Sequence, residues 1–318
     1  MDSYATQQKK EKALIAAGAV ALVLLVLMVL FIYSRGPYTR PDEIGIPVVR
    51  TPKQMVITAD VQLSAKAAVV WDMRRKKVVY EKNQDEVMPL ASLAKLMTAL
   101  TASELLPENS TVRITRSNLL NNEEKDELLP NETWKAQNLL ALTLLSSSNA
   151  GAKAVASAAG AFLPRNTAID PRVAFLQNLN TQAVKLGMNS THFFNESGLD
   201  VDKTQSGAYG TAKDVAILMD YIIRNHPELL EPTTNDRLLI PSEIVTHNVK
   251  NTNIAIENIP GALGSKTGYT DLAQGNLAVA FSPGLEGPYI AVVLGSTYEG
   301  RFTDIDQLID ATINATRK

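Results

Sequence analysis

The 318-residue sequence predicts an α+β fold in which a mostly antiparallel sheet packs against helices. Strand-forming segments lie near the start of the globular part and again in roughly the last sixty residues, whereas helical periodicity dominates the middle. This distribution indicates one sheet built from the N- and C-terminal thirds, beside a helical subdomain. A third observation, an uncharged apolar run near the N-terminus, adds a predicted transmembrane helix before the domain.

The apolar run covers residues 13–33, a length that just spans a hydrocarbon core about 30 Å thick. A cleaved signal peptide is the alternative, but its apolar core measures about 7–15 residues and a small-residue cleavage site follows it. The sequence "SRGPYTRP" follows here instead. We therefore expect an uncleaved anchor preceded by a short tail, residues 1–12. Basic residues on both sides leave its orientation open.

Residues 34–60 contain four prolines among mixed charges and predict a stiff, extended linker. The later part of this segment, "QMVITAD", also fits an ordered edge of the domain that follows. We place that domain at residues 61–318. Its first element is a predicted hairpin, residues 67–72 and 77–81, because two β-rich pieces flank a basic turn.

The segment "MPLASLAKLMTAL", residues 88–100, predicts a helix, because large apolar side chains repeat at intervals of three and four residues along one face: Leu93, Leu96, Met97 and Leu100. Similar patterns predict the middle helices, residues 134–146, 150–161, 171–187 and 211–225. Turn residues separate the predicted strands "GALGSKTGYT", "GNLAVAFS" and "PYIAVVLGS". The segment "FTDIDQLIDATINAT" then closes the chain as a helix.

Composition excludes several kinds of chemistry. The chain has no cysteine, which rules out disulfides, thiolate catalysis and cysteine zinc sites. A formal charge of −2 gives no reason to expect nucleic acid as a partner. The three histidines, at positions 192, 226 and 247, are too scattered to indicate a metal cluster. We therefore expect neither a metal nor an organic cofactor.

Ser92 and Lys95 lie one helical turn apart in an otherwise apolar segment, where an unpaired ammonium group is costly to bury. A serine hydroxyl is a weak nucleophile until a base removes its proton. A neutral lysine can act as that base when burial or a neighbouring cation lowers its pKa. The alternative is a serine near a helix start and a lysine that extends to water. Alone, a Ser-x-x-Lys motif is a weak signal.

Two further motifs follow along the chain. The stretch "SSSNAG" contains Ser147 and Asn149, where a hydroxyl and an amide either face a cleft or simply end a helix. The stretch "GSKTGYT" places Lys266, Thr267 and Gly268 in a predicted strand, where a glycine permits close approach of a ligand backbone. Its lysine adds a second cation that can lower the pKa of the first lysine and attract a carboxylate.

Ser-x-x-Lys, Ser-x-Asn and Lys-Thr-Gly, in this order and about 50 and 120 residues apart, are the motif set of penicillin-binding proteins and serine β-lactamases. The chain further resembles the low-molecular-weight penicillin-binding proteins, the D-alanyl-D-alanine carboxypeptidase family (peptidase family S11). The matching stretches include "VVWDMRRKKVVYEKN", "LGMNSTHFFNESGLD", "GTAKDVAIL" and "YEGRFTDIDQLI". The resemblance implies a β-lactamase/transpeptidase-like fold from about Val61 to the C-terminus.

The resemblance also implies a serine acyl-transfer mechanism. Ser92 would attack the carbonyl between the two terminal D-alanines of a peptidoglycan stem peptide, with Lys95 as its base. Ser147 would relay a proton towards the leaving amine, and water would then release the acyl-enzyme. β-Lactams would acylate the same serine and stay bound. Since peptidoglycan lies outside the cytoplasmic membrane, the anchor would be single-pass, with the N-terminus inside and the domain extracytoplasmic.

Six further residues would bind the substrate in this scheme: Asn149, Lys266, Thr267, Gly268, Tyr269 and Arg301. The asparagine would hold the substrate backbone, while the lysine and threonine, aided by the arginine, would face its terminal carboxylate. The oxyanion would lie between the backbone N–H groups of Ser92 and Tyr269, donors that are typically worth about 2.7–4 kcal/mol each.

Two positions depart from the family pattern, and three alternatives stay open. Ala94 stands where threonine is usual, and Ala150 stands where an acidic residue often follows the asparagine. A DD-endopeptidase would use the same machinery. A class A β-lactamase would need a glutamate for deacylation, and the corresponding stretch "FLQNLN" has no acidic residue. The third alternative is a non-catalytic module that binds peptidoglycan or β-lactams.

Overall fold

The computed structural model describes residues 18, 20–31, 57, 61–119, 128–164, 169–284 and 287–317. The chain separates into two units, residues 1–54 and 55–318. In the first unit, residues 20–31 are helical and their side chains are exposed. Within the described ranges, no helix combines the length and the apolar character that crossing a membrane requires.

Several predictions from the sequence concern residues outside these described ranges. The predicted tail, residues 1–12, lies outside the described residues, as do both ends of the predicted span 13–33. The predicted linker, residues 34–60, also lies outside them apart from Ile57. Ile57 is buried, and its N–H donates to the carbonyl of Val79 at 2.8 Å.

The second unit contains the strands and helices named here in chain order. The strands are β1 (Ala67–Asp72), β2 (Lys77–Lys82), β3 (Met88–Pro89), β4 (Thr111–Arg113), β5 (Thr133–Lys135), β6 (His192–Phe193), β7 (Ala208–Gly210), β8 (Arg237–Pro241), β9 (Thr246–Lys250), β10 (Ala262–Thr270), β11 (Gln274–Phe281) and β12 (Tyr289–Ser296). The helices are α1 (Ala94–Leu105), α2 (Arg116–Leu119), α3 (Ala136–Leu145), α4 (Asn149–Gly160), α5 (Pro171–Lys185), α6 (Ala212–Asn225), α7 (Pro227–Leu230) and α8 (Gly300–Thr316).

A five-stranded antiparallel sheet with the order β10-β11-β12-β1-β2 forms the centre of this unit. Strand β1 pairs with β12 along its whole length, so that Val69 faces Val292. The N-terminal hairpin therefore adds directly to the three C-terminal strands. This topology confirms the prediction of one antiparallel sheet made from both ends of the domain, and it leaves β10 at an edge.

The two faces of the sheet carry separate hydrophobic cores, because successive side chains of a strand point to opposite faces. Val69 and Val292 pack in the core that also contains side chains of α1, α3, α4 and α6. Val70 and Val293 pack in the other core, against Leu308 of helix α8. Burial on both faces explains why β12 reads as a continuous apolar run rather than as an alternating one.

Two sequence predictions need correction where the helices begin. The predicted helix 134–146 starts at Ala136, because Trp134 belongs to β5 and pairs with Val112 of β4. The indole of Trp134 is fully buried there, and aromatic side chains are enriched in strands. The predicted helix 88–100 starts as a 3₁₀ turn at Ala91–Leu93 and becomes α-helical at Ala94. The β8–β9 hairpin had no sequence prediction.

Helix α1 also differs from the single apolar stripe that its sequence predicts. The large apolar side chains of the stripe are buried as expected, and so are Lys95, Thr98 and Thr101 on its other sides. The helix is therefore enclosed from residue 94 to residue 102. A lysine in such a helix must find its polar partners inside the protein.

Candidate active site

Ser92 lies in the 3₁₀ turn that joins β3 to helix α1. The turn requires a positive φ of 48° at Ala91, an uncommon conformation for a residue with a Cβ. Hydrogen bonds to strands β7 and β11 hold the residues before this turn. The N–H of Leu90 donates to the carbonyl of Ala208 at 2.9 Å, and the side-chain amide of Asn276 donates to the carbonyl of Pro89 at 3.0 Å. Ser92 is thus half-buried immediately before a helix N-terminus, where N–H groups favour a developing negative charge.

Lys95 is fully buried, and its Nζ atom is surrounded by oxygens. The amine lies 2.7 Å from Ser92 Oγ, 2.7 Å from Asn149 Oδ1 and 3.0 Å from the carbonyl oxygen of Ser197. The amide and carbonyl oxygens can only accept hydrogen bonds, so each takes one N–H of the amine. The nitrogen is also within hydrogen-bond distance of the Ser92 hydroxyl. A neutral amine at this distance can accept the Ser92 proton through its lone pair, which is what a base for Ser92 requires.

The Ser197 carbonyl belongs to a short loop that the side chain of Asn195 folds tightly. Asn195 Oδ1 accepts from the N–H groups of Ser197 and Gly198 at 3.1 and 2.7 Å, and its Nδ2 donates to Leu199 at 2.8 Å. The side chain of Thr98, one turn after the lysine, donates to the carbonyl of Glu196 at 2.7 Å. Sequence reasoning missed this contact to Lys95. The only available signal was that "FFNESGLD" belongs to a stretch typical of the family.

The hydroxyls of the three consecutive serines before Asn149 make different hydrogen bonds. Ser147 adopts a positive φ of 64°, and its Oγ accepts a hydrogen bond from Lys266 Nζ at 2.8 Å. Ser148 instead caps helix α4, since its Oγ accepts from the N–H of Gly151 at 2.8 Å. Ser146 Oγ donates to Leu142 in the helix before it, at 2.9 Å. The middle hydroxyl therefore contacts the second lysine.

Strand β10 brings Lys266, Thr267 and Gly268 along the edge of the sheet. Lys266 is buried, and its Nζ also donates to the carbonyl of Thr267 at 2.8 Å. Residues two apart share one face of a strand, so the lysine and Gly268 point to the same side. A Cβ on Gly268 would lie 3.0 Å from the carbonyl oxygen of Leu90 and 3.2 Å from the nitrogen of Ser92. The missing side chain thus allows the strand to lie against the nucleophile turn.

Arg301 supports the end of the same strand. Its Nη1 donates to the carbonyl of Gly268 at 2.9 Å, and its guanidinium carbon lies 4.4 Å from the centre of the Tyr298 ring. Burial lowers the pKa of the guanidinium, and the neighbouring Tyr298 opposes this effect. Tyr269 follows Gly268, is 41% exposed, and meets Tyr298 edge to face with ring centres 5.1 Å apart.

These contacts connect each of the three motifs to the other two. Ser92 contacts Lys95, Lys95 contacts Asn149, and Asn149 lies two residues after Ser147. Ser147 contacts Lys266, whose strand returns through Gly268 to the backbone of Ser92. One hydroxyl and two amines from segments far apart in the chain therefore lie in a single groove. Such an arrangement suits acyl transfer to a serine.

Comparison with known proteins decides the family. The sequence profile of D-alanyl-D-alanine carboxypeptidase, peptidase family S11, matches residues 53–297. The chain belongs to this family. Every candidate site residue except Arg301 lies inside the matched region. The expectation of a serine-type D-alanyl-D-alanine carboxypeptidase is thereby confirmed at the level of the family.

Individual relatives of this family carry two names. The chain is 30% identical over 243 residues to D-alanyl-D-alanine carboxypeptidase DacB2 of Mycobacterium tuberculosis, covering 76% of this chain and 79% of that protein. It is 28% identical over 259 residues to DacF of Bacillus subtilis, covering 80% of this chain and 63% of DacF. It is also 28% identical over 219 residues to a D-alanyl-D-alanine endopeptidase of Escherichia coli, 67% of this chain and 65% of that protein.

Solved structures of penicillin-binding proteins share the fold. Penicillin-Binding Protein D2 of Listeria monocytogenes, in its ampicillin-bound form, has a TM-score of 0.68 and 31% identity, covering 80% of this chain and 99% of the other. A mutant of the DD-transpeptidase of Streptomyces K15 has a TM-score of 0.71 at 22% identity, with coverage of 80% and 99%. The predicted α+β, β-lactamase/transpeptidase-like fold is confirmed.

Proposed function

We propose that this chain is a serine D-Ala-D-Ala carboxypeptidase, which removes the terminal D-alanine from peptidoglycan stem pentapeptides through an acyl-enzyme on Ser92. The observation that carries the proposal is the environment of Lys95, whose amine contacts two acceptor oxygens and the Ser92 hydroxyl. Family membership supports the reaction class.

Acylation begins when Ser92 Oγ attacks the carbonyl carbon between the two D-alanines and its proton passes to Lys95 Nζ. The resulting oxyanion lies near the backbone N–H groups of Ser92 and Tyr269. The C–N bond then breaks, and the leaving D-alanine nitrogen takes a proton. Ser147 can deliver it, because its Oγ accepts from Lys266 and retains its own hydroxyl proton as a donor. The proton that Lys95 holds replaces it.

Substrate binding depends on the positive charge of Lys266 and on the edge position of strand β10 in its sheet. The substrate ends in a carboxylate, and Lys266 and Thr267 offer it an ammonium group and a hydroxyl. Strand β10 is the last strand of its sheet, and an extended peptide can lie along such an edge. Asn149 adds an amide beside the nucleophile. Water then attacks the acyl ester, which releases the shortened peptide and restores the Ser92 hydroxyl.

β-Lactams are proposed inhibitors of the same site, because opening their ring by Ser92 gives an acyl-enzyme from which no leaving group departs. The related Listeria protein has been solved in ampicillin-bound and cefotaxime-bound forms, at 31% and 30% identity. In this chain the same serine would carry the adduct.

Membrane anchoring is part of the same proposal. The uncharged run of residues 13–33 has the length and composition of a transmembrane helix. Peptidoglycan is located outside the cytoplasmic membrane, so the N-terminus would be inside and the domain outside. A tether of this kind would keep the groove within reach of the cell wall.

The first test replaces the nucleophile by Ser92→Ala and compares Ser146→Ala as a matched control, since the Ser146 hydroxyl donates back to the Leu142 carbonyl of helix α3. A fluorescent penicillin should label the wild-type protein and the control, and should leave Ser92→Ala dark. Hydrolysis of a pentapeptide muropeptide should fall by more than about 10³-fold in Ser92→Ala, because no acyl-enzyme forms. Mass spectrometry of the muropeptide measures the loss of one alanine.

Other outcomes distinguish the alternatives. Cleavage of cross-linked dimers instead of pentapeptides would indicate a DD-endopeptidase, the name that one relative at 28% identity carries. Rapid turnover of the penicillin would indicate a β-lactamase. A wild-type protein that takes up no label would contradict the proposal and favour a non-catalytic binding module.

A further inference from the structure

Thr252, a residue that no motif singles out, connects two walls of the groove. Its hydroxyl accepts a hydrogen bond of 2.6 Å from the hydroxyl of Thr267 on strand β10. Its backbone N–H donates to the carbonyl of Leu145 at 3.1 Å, and its Oγ donates to the same carbonyl at 3.4 Å. Leu145 ends helix α3, two residues before Ser147. Thr252 therefore lies between the serine segment and the strand proposed to hold the substrate carboxylate.

The backbone around Thr252 is fixed by its neighbours. The Nδ2 atom of Asn251 donates to the carbonyls of Thr233 and Asn235 at 2.9 and 2.8 Å, and its Oδ1 accepts from the N–H of Asn253 at 2.8 Å. Asn251 is buried while it makes these bonds. The position of the Thr252 hydroxyl is thus set by the loop, and only the direction of its proton is free to change.

The number of hydroxyl protons explains why the pair of Thr252 and Thr267 matters for an anionic ligand. A hydroxyl carries one proton, and a carboxylate can only accept hydrogen bonds. When Thr267 donates its proton to Thr252, it has none to offer a carboxylate. When Thr252 donates instead, the Thr267 proton becomes available. The other acceptor near Thr252, the Leu145 carbonyl, lies at 3.4 Å, which is long for a hydroxyl hydrogen bond. Turning the Thr252 proton towards Thr267 therefore loses only this long hydrogen bond to the Leu145 carbonyl.

We infer that Thr252 is a positioning residue for the substrate carboxylate: when the ligand binds, the Thr267–Thr252 hydrogen bond reverses, so that Thr252 donates to Thr267 Oγ and the Thr267 proton points at the ligand. This inference rests on the proposed function and names the ligand group that the pair recognises, a carboxylate next to the Lys266 ammonium. The lysine supplies charge without direction, whereas the ordered hydroxyl pair supplies direction. Thr252 should accordingly discriminate between acids and their neutral esters.

The test compares benzylpenicillin with its methyl ester, which keeps the β-lactam but lacks the carboxylate. The variants are Thr252→Val, which keeps the shape of threonine without the hydroxyl, and Thr252→Ser, which keeps the hydroxyl. Thr246→Val, an exposed position on strand β9 shortly before Thr252, is the matched control. The second-order rate constant of acylation is measured for each protein with each compound.

We expect Thr252→Val to slow acylation by benzylpenicillin about tenfold, the effect of losing one hydrogen bond to a charged group. Its rate with the methyl ester should stay within about twofold of wild type, since no charged acceptor is present to lose that bond. Thr252→Ser should restore most of the rate with the acid, and Thr246→Val should behave as wild type. Combining Thr252→Val with Thr267→Val should add little beyond Thr267→Val alone, because both remove one hydrogen-bond chain.

Equal losses with the acid and the ester would assign Thr252 a purely structural function and overturn the inference, as would an unchanged rate with both. Failure of Thr252→Ser to restore the rate would overturn it too. Thr252→Ala repeats the comparison if the valine variant does not fold. Absence of acylation in the wild-type protein would instead contradict the proposed function, so the two failures are distinguishable.

Discussion

At the scale of single residues, the site depends on backbone conformations that are costly outside this fold. Ala91 and Ser147 both have positive φ, at 48° and 64°, although each has a side chain. Such conformations cost on the order of 1–3 kcal/mol each and persist when the surroundings hold them in place. The first residue directs Ser92 at Lys95, and the second directs its own hydroxyl at Lys266. Local strain is thus located where two of the motifs meet the groove.

Replacement of Gly198 or Gly187 by alanine separates the cost of a positive φ from the cost of a steric clash. Both have positive φ, at 75° and 83°, but a Cβ on Gly198 would lie 1.8 Å from the carbonyl oxygen of Ala91, whereas none of the described atoms lies within 4 Å of one on Gly187. Gly187→Ala should therefore cost only the backbone term, about 1–2 kcal/mol of unfolding free energy, and keep penicillin acylation. Gly198→Ala must displace the nucleophile turn, and acylation should fall about 10²-fold.

Urea denaturation and acylation kinetics measure the two effects separately. If Gly198→Ala kept the wild-type acylation rate, the loop would not be pressed against the nucleophile turn as described. If Gly187→Ala lost acylation as well, the effect would come from the positive φ and not from the contact with Ala91.

At the scale of secondary-structure elements, the β8–β9 hairpin leads into the loop that contains Thr252, and a contact between the side chains of His247 and Glu132 fixes this hairpin. His247 Nε2 lies 2.6 Å from Glu132 Oε1, and the imidazole ring also packs against Trp134 with ring centres 4.8 Å apart. Glu132 is completely buried and accepts from the N–H of Leu129 at 3.0 Å. The segment before β5 and the hairpin are therefore joined through one carboxylate.

Ionisation of Glu132 determines when this connection stabilises the fold. Burial is the largest single effect on its pKa and raises it, but hydrogen bonds from Ser242, Leu129 and His247 together outweigh burial. The pKa therefore lies below the ordinary value of 4.5. For a carboxyl group with a lowered pKa in the folded state, the stabilisation is complete above the unfolded-state pKa. It is lost as the pH falls through the folded-state pKa.

Glu132→Gln should accordingly lower the free energy of unfolding by about 1.5–3 kcal/mol at pH 7, the range for a lost charged hydrogen bond. The difference from wild type should shrink as the pH falls below 4.5, because Glu132 then takes up a proton in the unfolded chain first and, at lower pH, in the folded chain as well. Denaturation in urea at a series of pH values measures both quantities. Glu243→Gln, on the exposed turn of the same hairpin, is the control. A difference that grew on acidification would contradict the assigned direction of the pKa.

At the scale of the whole chain, insertion of the N-terminal strand into the C-terminal sheet assembles the site. Strand β1 lies between β12 and β2, while the nucleophile turn that follows the hairpin contacts the edge strand β10. Helix α4, between these segments, supplies Asn149, and the turn that joins α3 to α4 supplies Ser147. The sheet thus brings residues 92 and 266 together although 174 positions separate them in the chain.

All candidate site residues belong to the unit formed by residues 55–318. A chain lacking residues 1–54 should therefore fold and should hydrolyse a soluble pentapeptide at the wild-type rate. If the anchor proposal is correct, the same truncation should move the protein from the membrane fraction to the soluble fraction. Fractionation by ultracentrifugation, followed by fluorescent penicillin labelling of each fraction, measures both. A truncated chain that still sediments with membranes would contradict the anchor.

Sequence patterns predicted much of this molecule because the relevant physics is local or repeats along the chain. The hairpin at residues 67–72 and 77–81, the helix at 211–225 and the closing helix all follow from short-range periodicity, and the structure has each within one or two residues. The start of α3 was wrong because Trp134 gains a strand partner, Val112, twenty-two positions away. A periodic pattern contains no information about such a partner.

The sequence by itself determined which reactive groups the chain carries and the family to which they belong, since Ser92, Lys95 and Lys266 are recognisable from residue type and order. The tertiary structure alone decided which further groups touch them. The Ser197 carbonyl that binds the lysine is a backbone atom, present at every position, and the Thr252 hydroxyl resembles any other threonine until the fold sets it beside Thr267. Such contacts arise from proximity between distant segments, and proximity is a property of the folded chain.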